Sequence, residues 1–228
     1  MRHFYDTSDY YDRELEKFSD LDSPFQRYRI SKILRLHTPK ATDRVLDLGC
    51  GWGTFCFALA PLCREVVGID YSSKAVELCR EFQKRHEGSN VTFRCASIED
   101  TGELSSSFDA VLCADLVEHL YPELFEALVR EAYRVLERGG KLVIWTPHRG
   151  HLLEILKAHN LLLKQDPSHV DFKSMARIVS TLQAHRFVIE KAYYDESHLP
   201  GFRHLERVLG GFFPLFRRRI AVLAEKQS

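Results

Sequence analysis

The ten residues VLDLGCGWGT, at positions 45–54, decide the fold of this chain. The apolar run Val45–Leu48 predicts a strand, and three glycines at alternate positions follow it before a helix begins near Thr54. Glycine lets the backbone turn sharply and lets a ligand approach without a Cβ in the way. A strand, a glycine-rich turn and a helix in this order are typical of a nucleotide-type loop at the carboxyl end of the first strand.

Strand and helix patterns alternate on both sides of this loop. A helix is predicted from Pro24, and helices also begin near positions 54, 73, 122 and 172. Apolar runs predict strands at 44–49, 65–70, 91–95, 108–113, 141–145, 187–193 and 219–225. Such alternation predicts an α/β, Rossmann-like fold with a doubly wound, mostly parallel sheet. The last two runs flank a long insert and predict an antiparallel C-terminal edge strand.

Composition narrows the class of protein. The 228 residues carry 32 Lys plus Arg and 32 Asp plus Glu, so the net charge is zero before histidine is counted. A dedicated nucleic-acid binder usually has a basic excess, so this balance argues against nucleic acid as partner. The six cysteines form no CxxC pair, which argues against a zinc site or a disulfide framework. No run approaches the roughly 18 apolar residues of a membrane span, and we expect a cytoplasmic protein without membrane contact.

Two acids accompany the glycines and indicate the kind of ligand. Asp70 ends the second predicted strand, where a carboxylate can accept hydrogen bonds from both ribose hydroxyls. The loop itself is GxGxG (Gly49, Gly51, Gly53), whereas dinucleotide enzymes show GxGxxG. Asp47 precedes the first glycine by two, so it is poorly placed beside a pyrophosphate and well placed to meet a cationic amino group. S-adenosylmethionine has an amino group and a sulfonium, and no phosphate.

The loop resembles the signature loop of class I S-adenosylmethionine-dependent methyltransferases, and further motifs follow in that family's order. CASIED (95–100) is similar to its adenine-flanking turn, FDAVLCAD (108–115) to its fourth-strand motif, and LERGGKLVI (136–144) to its glycine-turned fifth strand. The resemblance covers about residues 40–150. Within the family, the chain most resembles the methyltransferase domain of the ubiquinone-pathway kind. The resemblance implies S-adenosylmethionine as cofactor, bound by Asp47, Gly49, Gly51, Gly53, Asp70, Ser97, Ile98 and Ala114.

The resemblance also implies a division of the chain. We expect an N-terminal lid and helix at 1–40 and the methyltransferase domain at 41–228, with acceptor-side insertions within 150–218. Tyr5, Tyr10 and Tyr11 are candidates for a lid that excludes water, or for an ordinary packed terminus. Arg29 is a candidate partner for the cofactor carboxylate. The apolar segment 202–216 could form an acceptor wall, a dimer face or plain core, the arginines at 217–219 suggest a solvated turn, and the oligomeric state stays open.

The family places the methyl acceptor over the carboxyl ends of the fourth and fifth strands. Here these ends carry Asp115, Glu118 and His119, and Thr146 to His148. His119 is the predicted general base, because histidine titrates near neutrality and a hydroxyl acceptor must lose its proton. Neither the Asn/Asp-Pro-Pro-aromatic run of amino-methylating nucleic-acid enzymes nor the cysteine of carbon-5 pyrimidine enzymes is present at these ends.

A metal is the alternative interpretation of the same residues. Asp115, Glu118 and His119 would share a face if their stretch were helical. Together with His169 they resemble the acid/histidine metal quartet of small-RNA 3′-end ribose methyltransferases, and the Glu-His pair also resembles that of ubiquinone-pathway O-methyltransferases. A metal-free base or pocket role for His119 is favoured, so no metal ligand is assigned, and a purely structural role is the third possibility.

The predicted function is transfer of a methyl group from S-adenosylmethionine to an oxygen or nitrogen of a small-molecule acceptor. The zero net charge favours a small molecule over RNA. Two alternatives stay open: an RNA ribose 2′-O-methyltransferase, suggested by the acid/histidine pattern, and a non-catalytic S-adenosylmethionine-binding scaffold.

Overall fold

The computed structural model describes residues 20–84, 90–159 and 168–227. Seven strands in this part of the chain form one sheet, in the order β3-β2-β1-β4-β5-β7-β6. The strands are β1 (Arg44–Leu48), β2 (Glu65–Asp70), β3 (Val91–Cys95), β4 (Phe108–Ala114), β5 (Leu136–Pro147), β6 (Phe187–Asp195) and β7 (Arg219–Lys226). The helices are α1 (Pro24–Leu36), α2 (Thr54–Leu59), α3 (Ser73–Lys84), α4 (Pro122–Val135), α5 (Leu152–Ala158), α6 (Met175–Ala184) and α7 (Pro200–Leu209).

The strands from β3 to β5 run parallel, so their carboxyl ends meet at one edge of the sheet. Strands β1, β2 and β4 are almost wholly buried because helices cover both faces, as expected for a parallel sheet. The strand order reverses between β1 and β4, and ligands of such sheets bind in the crevice at this switch point. The glycine-rich loop after β1 lies beside it.

The antiparallel part of the sheet confirms the expected fold class. Strand β7 pairs antiparallel with both β5 and β6, so the C-terminal strand lies one position in from the edge and β6 is outermost. Strand β5 begins at Leu136, five residues before its predicted start at 141. Leu136 pairs with Phe108 and a bulge follows, so the predicted glycine turn is an irregular first part of the strand.

Two apolar clusters, one on each face of the sheet, form the core. One is built around β4, β5 and α4 and includes Phe108 and Phe125. The other joins α1 and α2 to β2 and β3 and includes Phe55, Phe93 and Trp145, the last of which is completely buried. The core therefore fixes α1 against the same sheet that carries the glycine-rich loop.

Helix α1 begins at Pro24 as predicted, with Ser23 as its N-cap, and it is tied to the end of β6. The Lys32 ammonium lies 2.8 Å from a carboxylate oxygen of Asp195, and the Tyr28 hydroxyl donates to the carbonyl of Glu196. These contacts hold α1 over the carboxyl end of β6. The candidate lid residues Tyr5, Tyr10 and Tyr11 lie outside the described residues.

The insert between β5 and β7 is held by buried polar contacts. Nε2 of His151 lies 2.7 Å from Oε1 of Glu206, and both residues are buried. Nδ1 of His151 accepts the amide hydrogen of Leu153, so the histidine caps α5 while it anchors α7. Helix α6 begins at Met175, three residues later than predicted, because Ser174 caps it. In the described ranges, no helix is both long and apolar enough to cross a bilayer.

The packing of β2 against α2 and β3 generates a stability prediction. A Cβ at Gly68, in the middle of β2, would lie 2.8 Å from Sγ of Cys56 and 2.8 Å from Cδ1 of Phe93. Gly68→Ala should therefore lower the free energy of unfolding by about 1–3 kcal/mol, because both neighbours are buried and must shift. Chemical denaturation measures the change.

Gly201→Ala is the matched control, because no atom lies within 4 Å of a Cβ at Gly201. The control should be as stable as the wild type or slightly more stable, since alanine favours the helix. Equal stability of both variants would contradict the packing described for β2.

Candidate active site

The glycine-rich loop leaves β1 with three residues in the left-handed region of φ: Gly49 at 70°, Gly51 at 52° and Gly53 at 74°. A Cβ at Gly49 would lie only 2.6 Å from Cδ1 of Leu116, so the loop also packs closely on the segment after β4. At Gly51 the opposite holds, because no atom lies within 4 Å of the Cβ position. The loop is thus fixed underneath and open on the side of Gly51.

Asp70 holds this loop from the end of β2. Its Oδ2 accepts the amide hydrogen of Gly51 at 2.9 Å, and its Oδ1 accepts that of Ser72 at 3.0 Å. The two amides thus bind different oxygens of the same carboxylate. The structure therefore brings Asp70 against the glycine-rich loop at Gly51.

Asp47, in β1 just before the loop, has weaker hydrogen-bond donors for its negative charge than Asp70 has. It is buried, and the Sγ–H of Cys56 donates to its Oδ2 at 3.3 Å. Burial raises the pKa of Asp47 to about 7, although the Cys56 hydrogen bond and the charge of Arg29 oppose the rise. A carboxylate in this setting gains from any cation brought close to it.

The other predicted cofactor residues follow β3 and β4 along the same edge of the sheet. The amide of Ala96 donates to the carbonyl of Asp70 at 3.1 Å, which joins the turn after β3 to the end of β2. Ser97 bridges to Asp100 within that turn, and half-buried Ile98 packs against the core. Ala114 ends β4 and pairs with Trp145. These residues therefore lie at the carboxyl ends of neighbouring strands, in the order β3-β2-β1-β4.

These residues fit S-adenosylmethionine better than a dinucleotide. Gly51 leaves the loop open, Asp70 offers acceptors for ribose hydroxyls, and Asp47 offers a negative charge to an ammonium group. A pyrophosphate at the same loop would face both buried carboxylates, which would repel it. The acceptors and negative charges at this loop therefore suit a cationic nucleoside derivative better than a pyrophosphate.

Asp115, directly after β4, is bound by two arginines. Its φ is 53°, and its carboxylate forms ion pairs with Arg29, at 2.7 Å, and with Arg219. Burial alone would raise the pKa of Asp115, but the charges of Arg219 and Arg29 outweigh it and hold the pKa well below its usual range. Arg29, the candidate for the cofactor carboxylate, thus pairs with Asp115 in this structure.

Arg219 is a site residue that the sequence did not reveal. The arginines at 217–219 suggested a solvated turn, but the side chain of Arg219 is only 11% exposed. Its guanidinium lies 4.1 Å from the ring centroid of Trp145 and pairs with Asp115 across the sheet edge. Arg218 pairs with Glu154, and Arg217 stacks on Tyr194. No local sequence pattern reveals these three contacts, because each joins residues that are distant in sequence.

His119 follows β4 in a 3₁₀ turn, Val117–His119, and its ring is oriented by a backbone carbonyl. Nδ1 lies 3.1 Å from the carbonyl oxygen of Ser168. A carbonyl can only accept, so Nδ1 carries the proton in the neutral ring and Nε2 is the basic nitrogen. The buried ammonium of Lys173 donates to the carbonyls of Val117 and Leu120, which fixes the turn. Ser168 and Lys173 were not predicted from the sequence.

Glu118 and His169 lie next to His119. Oε2 of Glu118 accepts from the Thr146 hydroxyl at 2.9 Å, and burial raises the pKa of Glu118. The His119 and His169 rings meet edge to face, with centroids 4.8 Å apart. Ligand atoms of Glu118, His119 and His169 all lie within 4.8 Å of one another, which is close enough for one metal ion.

Asp115 does not belong to this group, so three of the four residues of the resembled metal quartet come together. The sequence argument placed Asp115 on the face of Glu118 and His119 by assuming a continuous helix. In the structure the positive φ of Asp115 precedes the 3₁₀ turn, and the two arginines hold the carboxylate. Thr146, at the end of β5, donates its hydroxyl hydrogen to the Glu118 carboxylate.

Comparison with known proteins shows the family of the chain. Residues 45–140 match the methyltransferase domain family. The chain is 31% identical to a ubiquinone biosynthesis O-methyltransferase of Chromobacterium violaceum over 165 residues, which are 65% of this chain and 70% of that protein. It is 32% identical to the protein of the same description in Xanthomonas axonopodis pv. citri, over 63% of this chain and 64% of the relative.

The fold has a solved counterpart in the PH0226 protein of Pyrococcus horikoshii. The two structures superpose with a TM-score of 0.71 over 96% of this chain and 99% of the other, at 23% sequence identity. The sequence relatives, together with the glycine-rich loop and Asp70 at the switch point of the sheet, establish the family. The chain belongs to the class I S-adenosylmethionine-dependent methyltransferases.

Proposed function

We propose that the protein transfers the methyl group of S-adenosylmethionine to an oxygen or nitrogen of a small-molecule acceptor, with His119 as general base. The observation that carries the proposal is the Nδ1 contact of His119 with the Ser168 carbonyl, which makes Nε2 the proton-accepting nitrogen beside the end of β4. The relatives described as ubiquinone biosynthesis O-methyltransferases support oxygen as the acceptor atom.

The cofactor would be bound along the ends of β1 to β4. Asp70 would accept from the ribose hydroxyls, and Asp47 would face the amino group. The loop glycines allow the close approach, and Ser97, Ile98 and Ala114 would line the adenine and the methyl side. When bound, S-adenosylmethionine supplies a methyl group made electrophilic by its sulfonium. Every other contribution to the rate must come from the residues of the chain.

Methyl transfer is a direct displacement, so alignment of the reacting atoms should supply most of the rate. His119 adds to this by removing the acceptor proton at Nε2, while its Nδ1–H bond to Ser168 keeps the ring orientation. The cation of Lys173 supports the same turn from below. The base and its support thus come from two segments, 117–119 and 168–173.

A second candidate function rests on the Glu118, His119 and His169 group. These three residues offer a nitrogen- and oxygen-rich set of ligand atoms within 4.8 Å, so a divalent ion could activate a ribose hydroxyl of RNA. The zero net charge of the chain favours the small-molecule acceptor over RNA.

Transfer of tritium from methyl-labelled S-adenosylmethionine tests the proposal most directly. The purified protein is incubated with an extract of the source cells, which is then separated into small-molecule and RNA fractions. We expect label in the small-molecule fraction and none without the protein. Label mainly in RNA would favour the second candidate function, and label in neither fraction would favour the non-catalytic scaffold.

Two substitutions should separate chemistry from cofactor binding. His119→Ala should lower kcat roughly 10²–10⁴-fold because it removes the general base, with cofactor affinity nearly unchanged. Asp70→Ala should weaken cofactor binding first, because it removes the acceptor for the ribose and the contact to Gly51. Steady-state kinetics and calorimetric titration measure both. His185→Ala, at the end of α6, is the control, and full activity of His119→Ala would refute the base role.

Chelation distinguishes the base from the metal. If His119 acts as a metal-free base, a chelator such as EDTA should leave kcat unchanged, because no ion takes part. The assay uses wild-type protein treated with chelator and then repleted with Mg²⁺, Mn²⁺ or Zn²⁺. Loss of activity that one of these ions restores, together with an equal loss in His169→Ala, would establish the metal interpretation instead.

Cofactor affinity should depend on pH through Asp47. With a pKa of about 7, this carboxyl group is mostly protonated at pH 5.5 and half ionised at pH 7. A cationic amino group binds the ionised form, so the affinity for S-adenosylhomocysteine should rise roughly tenfold between these pH values, with proton release on binding at the lower pH.

Calorimetry in two buffers of different ionisation enthalpy measures this proton release. Asp47→Asn should bind more weakly and show neither the pH dependence nor the released proton. A wild-type affinity that does not change between pH 5.5 and pH 7 would contradict the role of Asp47.

A further inference from the structure

Helix α7 and the turn that follows it expose an unusual number of large apolar side chains. Phe212 is 79% exposed, Val208 59% and Phe213 53%. Leu205 and Leu215 are also exposed and continue the same stretch of sequence. We name this surface, formed by residues 199–215, the α7 face. The sequence left the segment open between acceptor wall, dimer face and core, and these exposures exclude plain core.

The inner side of α7 explains why these side chains point outward. Glu206 is buried and contacts His151, while Phe202 and Leu209 are half-buried on the same side of the helix. Residues on other sides of an α-helix must then face away from the domain, since the period is 3.6 residues. The buried Glu206–His151 pair therefore fixes the rotation of α7 and presents Leu205 and Val208 to the surroundings.

The exposed charged groups of the α7 face are arginines and a histidine, and one of them, Arg207, pairs with the neighbouring Glu196 at 2.9 Å. Residues 197–219 contain five arginines, two histidines and a single acid, Glu206. That acid is only 2% exposed, so no carboxylate of this segment reaches the surface. Arg203 and Arg207 are exposed on α7 itself, beside Leu205 and Val208. The face thus combines exposed apolar groups with cations and offers no anion of its own.

A cavity of about 470 Å³ extends the cationic region from α7 to the outer side of α1. Arg203 lines it together with Arg27 and Arg35 of α1. The one acid of the lining, Glu196, is paired with Lys32 and Arg207. Arg35 lies 3.4 Å from a carboxylate oxygen of Asp195, whereas Arg27 and Arg203 form no ion pair within the described ranges. Two guanidinium groups at this cavity are therefore available to anions from outside the domain.

We propose that the α7 face docks on the surface of an anionic phospholipid bilayer. Phe212, Phe213 and Val208 would enter the boundary between headgroups and acyl chains, as amphipathic interfacial helices do. Arg203 and Arg27 would pair with lipid phosphates, each adding to the attraction of an anionic leaflet. Such a contact lies on the membrane and requires no spanning helix, so it is compatible with the helix lengths of the described chain.

The charge pattern favours this occupant over a second copy of the chain. A twofold dimer brings the same patch of both subunits together, so Arg203 would face its own copy, while the neighbouring acid Glu196 is already paired with Arg207 and Lys32. Like charges placed opposite each other oppose association. An anionic bilayer satisfies the apolar groups and the cations at once.

Co-sedimentation with lipid vesicles tests the proposal on the full chain, without any need for activity. Vesicles consist of phosphatidylcholine alone or mixed with phosphatidylglycerol. The wild type should partition onto the mixed vesicles, and salt should weaken the binding. Substitution of both Phe212→Ser and Phe213→Ser should reduce partitioning by about tenfold or more, because two exposed rings no longer insert. Arg203→Ala should reduce it by about fivefold.

Two controls lie at the opposite edge of the sheet. Leu104, 78% exposed before the amino end of β4, is replaced by serine, and exposed Arg138 is replaced by alanine. Both variants should bind mixed vesicles like the wild type, and thermal unfolding should show that all variants are folded. Absence of wild-type partitioning, or equal losses in the controls, would overturn the proposal. So would a wild-type dimer in analytical ultracentrifugation that the phenylalanine substitutions dissociate while vesicle binding is unaffected.

Discussion

The site depends on how three carboxylates, those of buried Asp47 and Asp70 and of half-buried Asp115, obtain partners at one edge of the sheet. A buried charge is costly unless hydrogen bonds or opposite charges compensate it. Asp70 receives the amides of Gly51 and Ser72, and Asp115 receives two guanidinium groups. Asp47 receives the weak donor Cys56, which leaves its pKa at about 7. Beside the loop the fold therefore leaves one acid, Asp47, incompletely compensated.

The same constraint also joins distant parts of the chain. The pairing of Asp115 with Arg29 and Arg219 joins α1, β4 and β7, three elements far apart in sequence, at the edge where the acceptor is expected. It also keeps Asp115 apart from Glu118, His119 and His169, whose ligand atoms lie within 4.8 Å of one another. These ion pairs thus add to the apolar core that holds the first helix and to the strand pairing that holds the last strand.

Local patterns in the sequence were enough for the fold and the conformation of the glycine-rich loop, because both depend on short-range features. The strand before Gly49 and the acid at Asp70 are visible as apolar runs with glycines and carboxylates at defined spacings. The roles of Arg219 and Ser168 were not visible, since their contacts span 104 and 49 residues. The position of Asp115 was mispredicted because a positive φ interrupts the assumed helix. Long-range contacts and single backbone conformations leave no periodic signal.

Calorimetric titration of the wild-type protein with S-adenosylmethionine, S-adenosylhomocysteine and NAD tests the central claim most directly. The account predicts binding of both S-adenosyl compounds and no measurable binding of NAD, because Asp47 attracts an amino group and repels a pyrophosphate. Preferential binding of NAD would contradict the assignment of the loop and, with it, the proposed methyl transfer.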